Sequence, residues 1–182
     1  MSLNPITIKP EDFMKYPNMI DMKMFYAWSM KRLDNHYIPD EFIQAFPKKF
    51  KLEIQQLIDI IKTQKIHPKS IDAILSNFNE YNFPSLMFCG IRIENLNGTK
   101  EEINTFIEKY HKYINWKVNS SQLDEEQKIM FKDIIDWNSL CYTKDLTKRI
   151  LDDRSCKEYL DWKRIEECKT YTDVKGNVLL EI

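Results

Sequence analysis

Residues 50–78 read FKLEIQQLIDIIKTQKIHPKSIDAILSNF, and this stretch decides the fold class. Phe50, Ile54, Leu57, Ile58 and Ile61 recur at i, i+4, i+7, i+8 and i+11, the spacing that lays one apolar stripe along an α-helix. Ile71, Ile74, Leu75 and Phe78 repeat the pattern after Pro68, whose fixed φ and missing N–H suit the first turn of a new helix. The break at Lys65–His67 is short, so the two helices are expected to form an antiparallel pair.

Upstream, Pro10, Glu11 and Asp12 offer an acidic helix start, and a dense apolar segment runs from Asn18 to Leu33. Its apolar residues fall on two faces: Ile20, Met24, Ala27 and Trp28 on one, Met22, Phe25, Tyr26, Met30 and Leu33 on the other. A helix that is apolar nearly all round is central to a core or covers a partner. Ile38-Pro39-Asp40 ends this element and opens a short helical turn that stops before Pro47.

Downstream the period changes. Met87, Cys89, Ile91 and Ile93 alternate at a period near two, the pattern of a mostly buried strand. Asn95-Leu96-Asn97-Gly98 is turn chemistry, and Thr99 with Glu102 makes a capping box for a helix burying Ile103, Phe106, Ile107, Tyr110 and Ile114. Ser121 ahead of Asp124, Glu125 and Glu126 predicts a further capped helix, Asn138–Asp153 one helix or two short ones, and Ser155 with Glu158 a capping box for a last helix reaching Glu167. Thr170–Val174, a turn at Lys175-Gly176-Asn177 and Val178–Ile182 read as a hairpin, which gains stability by pairing with the 86–93 strand.

The expected fold is therefore mainly α within an α+β class. It is a single compact domain over residues 1–182, a helical assembly of about seven helices with a small antiparallel sheet that includes the C-terminal hairpin. Residues 1–9 are expected to be an irregular N-terminal segment. Trp116, Trp137 and Trp162 follow Ile-Asn, Ile-Asp and Leu-Asp, yet their intervals of 21 and 25 residues are unequal, and they are read as three helices each ending a core stripe in tryptophan.

Composition excludes several function classes. The 27 basic and 28 acidic residues balance, so no field of one sign steers the chain onto nucleic acid or an anionic membrane. Gly90, Gly98 and Gly176 are the chain's three glycines, too few and too scattered for a phosphate-cradling loop, and no cofactor is expected. Cys89, Cys141, Cys156 and Cys168 contain no Cys-x-x-Cys pair and do not resemble a secreted disulfide framework, which points to a reducing cytoplasm. Lys9, Glu11, Asp12 and Lys15 interrupt any apolar run near the N-terminus, and no membrane span is expected.

Candidate chemistry is sparse. Glu108-Lys109-Tyr110-His111 has the Glu-x-x-His spacing of di-metal helical bundles, but neither His36 nor His67 has a glutamate three residues earlier to complete a set, so no metal site is expected. Cys89-Gly90 resembles a nucleophile at a tight turn, for which His111 is one of three histidines able to serve as base, although cysteine in an apolar strand is ordinarily a small core residue. Asp152-Asp153, Asp133 with Asp136, and Asp124–Glu126 are read as solvating charge, and Lys48, Lys49, Lys51, Lys62, Lys65 and Lys69 lack interleaved aromatics for nucleic-acid stacking.

The functional expectation is a non-enzymatic protein-protein interaction module, an adaptor, regulator or inhibitor. It would engage another protein, with a homo-oligomer as one form of this, through Met22, Phe25, Tyr26 and Met30 on the methionine- and aromatic-rich N-terminal helix. The alternative is a small cytosolic cysteine-dependent hydrolase or transferase using Cys89 and His111.

Overall fold

The computed structural model describes residues 9–29, 38–50, 64–77, 91–143, 145–167, 170–172 and 178–181. They fall into two units, 1–113 and 114–182, each with its own core.

In the first unit, helix α1 (Pro10–Lys15) starts on a proline, and the Asp12 carboxylate accepts the Lys9 N–H at 2.9 Å. The long helix expected over 18–33 does not begin there. Pro17–Met19 form a 3-10 turn, Ile20 is extended, and helix α2 (Met22–Ser29) starts only after the Asp21 carboxylate accepts the N–H groups of Lys23 and Met24 at 3.0 and 3.2 Å. An aspartate that satisfies two orphan donors outweighs the helical periodicity upstream of it.

Helix α3 (Asp40–Ala45) is followed by a 3-10 turn over Pro47–Phe50. Phe42 sits at the centre of this unit's core. Its ring lies 5.0 Å from Phe13, 5.3 Å from Phe46 and 6.0 Å from Phe50, and Phe13 meets Phe25 edge-on at 5.2 Å. Such tilted and T-shaped pairs place positive ring edges against negative ring faces. Of the helix expected over Phe50–Ile61, only Phe50 lies within the described residues.

Helix α4 (Pro68–Leu75) starts at Pro68 as expected and buries Ile71, Ile74 and Leu75. The side chain of His67 caps it, Nδ1 accepting the Lys69 N–H at 3.1 Å. Helices α3 and α4 are joined by buried polar contacts: Asp40 Oδ1 accepts the His67 N–H at 2.9 Å and the Ser70 hydroxyl at 2.6 Å, and Gln44 Nε2 donates to Ser70 Oγ at 3.0 Å. Helix α5 (Lys100–Tyr110) carries the expected capping box. Thr99 Oγ1 accepts the Glu102 N–H at 3.2 Å, and Glu102 Oε2 accepts the Thr99 N–H at 3.1 Å.

The strand expected over 86–93 does not form in its described part. Ile91 and Ile93 are buried, as alternation predicts, but the backbone turns into a 3-10 element over Ile93–Asn95 and makes a single parallel bridge between Ile66 and Leu96. Residues 86–90 lie outside the described residues. Alternating burial needs only an extended backbone, whereas a strand also needs a hydrogen-bonding neighbour along its length.

The second unit is built from short helices: α6 (Trp116–Asn119), α7 (Glu125–Met130), α8 (Trp137–Thr143), α9 (Lys148–Asp152) and α10 (Trp162–Glu167). The three tryptophans begin helices; they do not end them. Each follows a buried aliphatic residue, Ile114, Ile135 or Leu160, and each is followed three positions later by a buried residue, Asn119, Leu140 or Ile165. Asp136 caps α8 by accepting the Ser139 N–H at 3.1 Å, and Asp161 caps α10 by accepting the Arg164 N–H at the same distance. The Trp137 indole N–H donates to the Lys132 carbonyl at 2.7 Å and that of Trp162 to the Lys157 carbonyl at 3.0 Å, both five residues upstream.

The intervening helices match as well. Asp124 caps α7 through the Gln127 N–H at 2.9 Å, Thr147 caps α9 through the Ile150 N–H at 3.4 Å, and buried Leu123 and Leu146 precede the two caps. Helices α8 and α10 thus repeat one local pattern, whereas α6 has no side-chain cap, and the tryptophans open helices where the ends of core stripes were expected. Two expected caps also move: Ser121 gives way to Asp124, and Ser155 donates its N–H and hydroxyl to Asp153 Oδ1 at 2.8 and 2.7 Å and caps no helix with Glu158.

The expected α+β class is corrected too. The described fold is mainly helical, and the small antiparallel sheet combining 86–93 with the C-terminal hairpin is absent among the described residues. Near the chain's end, β1 (Thr170–Thr172) and β2 (Val178–Glu181) form only a two-stranded antiparallel ladder, its register shifting between Tyr171 and Thr172.

Candidate functional site

The capped start of α2 fixes which way its side chains point. Met22 and Phe25, three residues apart on one side, are only 4% and 3% exposed, and Phe25 is held against Phe13. They therefore belong to the core and not to a partner-facing surface, a correction to the face assignment made from periodicity. The side chain of Tyr26 and the whole of Met30 lie outside the described residues. Met24, which periodicity had placed on the opposite face, is 44% exposed, and Met14 on α1 and Tyr16 at its end are 48% and 38% exposed. The exposed apolar side chains of this segment thus lie on a different face from the one that periodicity selects. The signal for the face was Asp21, whose cap sets the rotational phase of the helix.

A groove of about 220 Å³ lies between α4 and α5, lined by Pro68, Phe106 and Tyr110 together with charged side chains of both helices. Two ion pairs cross it. Lys69 Nζ meets Glu102 Oε1 at 2.7 Å with His67 Nε2 3.2 Å from Oε2, and Lys109 Nζ meets Asp72 Oδ1 at 2.7 Å, where the Tyr110 hydroxyl also donates. The Lys69 ammonium, and then the Thr99 N–H, hold the Glu102 carboxyl down to about 2. Burial, and then the bond to Asp72, push the Tyr110 phenol up to about 12. At neutral pH the groove therefore presents a fixed carboxylate and a protonated phenol, and its charged groups tie the two helices together. Gly98 allows the loop into α5 to approach this edge, since a Cβ there would come within 3.1 Å of Pro68 Cδ.

His111 lies just beyond α5, half-exposed, with Nδ1 2.9 Å from the Glu108 carbonyl oxygen. The Glu-x-x-His spacing thus brings the imidazole to the Glu108 backbone, and among the described residues no three His, Cys, Asp or Glu side chains group as a metal site. Cys89 lies outside the described residues. Cys141 and Cys156 are free and buried, and burial pushes both thiols up, away from the reactive thiolate.

No protein-family model, curated protein or solved structure matches the chain. No helix among the described residues is long and apolar enough to cross a membrane.

Proposed function

We propose that this protein is a non-enzymatic protein-interaction module, an adaptor, regulator or inhibitor, that meets another protein through its N-terminal helices. The observation that carries this reading is the exposure of Met14, Tyr16 and Met24 directly beside the core residues Phe13 and Phe25. Flexible thioethers adapt to irregular partner surfaces, and a tyrosine adds apolar area with a polar tip. Because Phe13 and Phe25 lock the backbone beneath them, little chain entropy remains to be lost when these side chains are covered. The balanced charge favours a protein partner over nucleic acid. The buried free thiols of Cys141 and Cys156 fit a reducing cytoplasm.

Photo-crosslinking amino acids placed at positions 14 and 24, with exposed Lys48 as control, test this in cells. The expected result is a discrete protein adduct from 14 and 24 but not from 48, lost from position 14 when Met24→Asp is added. No adduct at either position, or the same pattern at all three, overturns the reading.

A further inference from the structure

The local pattern shared by α8 and α10 shows how the tryptophan of α8 is covered. Trp137 opens α8, and the ring of Tyr159 stacks on it with centroids 5.9 Å apart and planes inclined by 24°. Tyr159 ends the 3-10 turn that precedes the next tryptophan helix, so the copy that follows supplies the cover. Trp162 occupies the equivalent position one copy later, with the same aspartate cap and the same indole bond to the carbonyl five residues upstream. The two rings differ in one respect: Trp137 is 6% exposed and Trp162 is 41% exposed. On the same helix Arg164 lies 4.6 Å above the ring of Tyr142, itself 69% exposed. Open aromatic surface thus continues where the repeat's internal stacking stops.

We infer that the Trp162 face docks a partner protein through a tight turn that presents an aromatic ring, in the way the Tyr159 turn covers Trp137. The repeat-to-repeat contact within this chain supplies the geometry, and the Trp162 face continues it. Stacked repeats bury their hydrophobic faces on neighbours, so an exposed equivalent of a buried position marks where a further neighbour fits. The required chemistry is specific. The partner must offer a flat ring to the indole and polar groups to Arg164, while the indole N–H stays bonded to Lys157 within the chain. This surface lies in a different unit from Met14 and Met24 and does not depend on their role.

The Tyr159 turn itself serves as the probe, because the bonds that shape its backbone are local, while the Tyr159 hydroxyl reaches out to donate to Asp133 beside the ring it covers. Ser155 is held by Asp153, the Cys156 N–H donates to the Asp153 carbonyl at 3.1 Å, and the Tyr159 N–H to the Cys156 carbonyl at 3.0 Å. A synthetic peptide spanning residues 153–165 is titrated onto the full chain labelled with 5-fluorotryptophan, the Trp162 resonance being assigned by a Trp162→Phe variant. The expected result is a saturable shift of the Trp162 signal with the Trp137 signal unmoved. A peptide carrying Tyr159→Ala should bind about tenfold more weakly, since an aromatic pair contributes up to about 1.5 kcal/mol beyond its area. No shift at millimolar peptide, or equal binding of the Tyr159→Ala peptide, overturns the inference. A Trp162 shift produced by raising protein concentration alone would assign the face to a second copy and overturn it as well.

Discussion

The two units solve the same problem, a core for short helices, in opposite ways. In the first, rings from α1, α2, α3 and the turn after it converge on Phe42 from positions as far apart as Phe13 and Phe50. In the second, one local unit recurs, with a buried aliphatic residue, an acidic or amide residue, a tryptophan and a buried position three residues on. A convergent core concentrates its stability in a few long-range contacts, whereas a repeated one distributes it over neighbouring copies.

The comparison breaks first at Phe42. Its side chain is fully buried and touches three other rings, so Phe42→Ala should destabilise the protein by about 4 kcal/mol through lost transfer energy and an unfilled cavity. Denaturant unfolding followed by circular dichroism measures this. A loss below about 1 kcal/mol would mean that the ring cluster is not the centre of the first unit's core.

The second unit also holds a buried ion pair between distant residues. Lys128 on α7 is buried, with its ammonium 2.8 Å from Asp145 Oδ2 and 3.3 Å from the Asp145 carbonyl. Asp145→Ala leaves that charge buried with only the carbonyl to accept from it, and a loss of about 3 kcal/mol is expected. Adding Lys128→Met should restore most of it, because an apolar side chain of similar length needs no partner there. If the double variant is no more stable than Asp145→Ala alone, the loss comes from the loop and not from the stranded charge.

What the sequence made legible follows the same division between local and distant chemistry. Pro68 at a helix start, the Thr99 and Glu102 box, and the stripes through Ile71, Ile74 and Leu75 and through Phe106, Ile107 and Tyr110 are written within a few residues, and all stand in the structure. Competition between neighbouring polar groups was harder to read. Ser155 and Glu158 match a capping box, but Asp153 lies two residues upstream and takes both donors of Ser155. Distant partners left no trace in spacing: nothing near Asp40 shows that it will accept from His67 and Ser70, 27 and 30 residues away. The candidate surface shows both cases. Its segment was visible as a run of methionines and aromatics, while its outward residues depended on where Asp21 starts the helix.

The ion pairs between α4 and α5 give the smallest expected effect and the finest resolution of the first unit. Glu102 accepts from Lys69 and Thr99, and its carboxyl is held at about 2 against an ordinary value of 4.5. A carboxyl whose value is lowered by folding favours the folded state wherever it is ionised in the unfolded chain. Its contribution is therefore complete above about pH 4.5, declines as the pH falls, and is gone once the pH passes below about 2. Glu102→Gln keeps an acceptor for the Thr99 N–H but removes the charge that Lys69 approaches. The variant should be modestly less stable than the parent at pH 7, and the gap between their denaturant midpoints should close through that acid window. If the gap stays constant down to pH 2.5, or if the Glu102 carboxyl titrates near 4.5 by NMR, the link between α4 and α5 is steric and the Lys69 ammonium adds nothing to it.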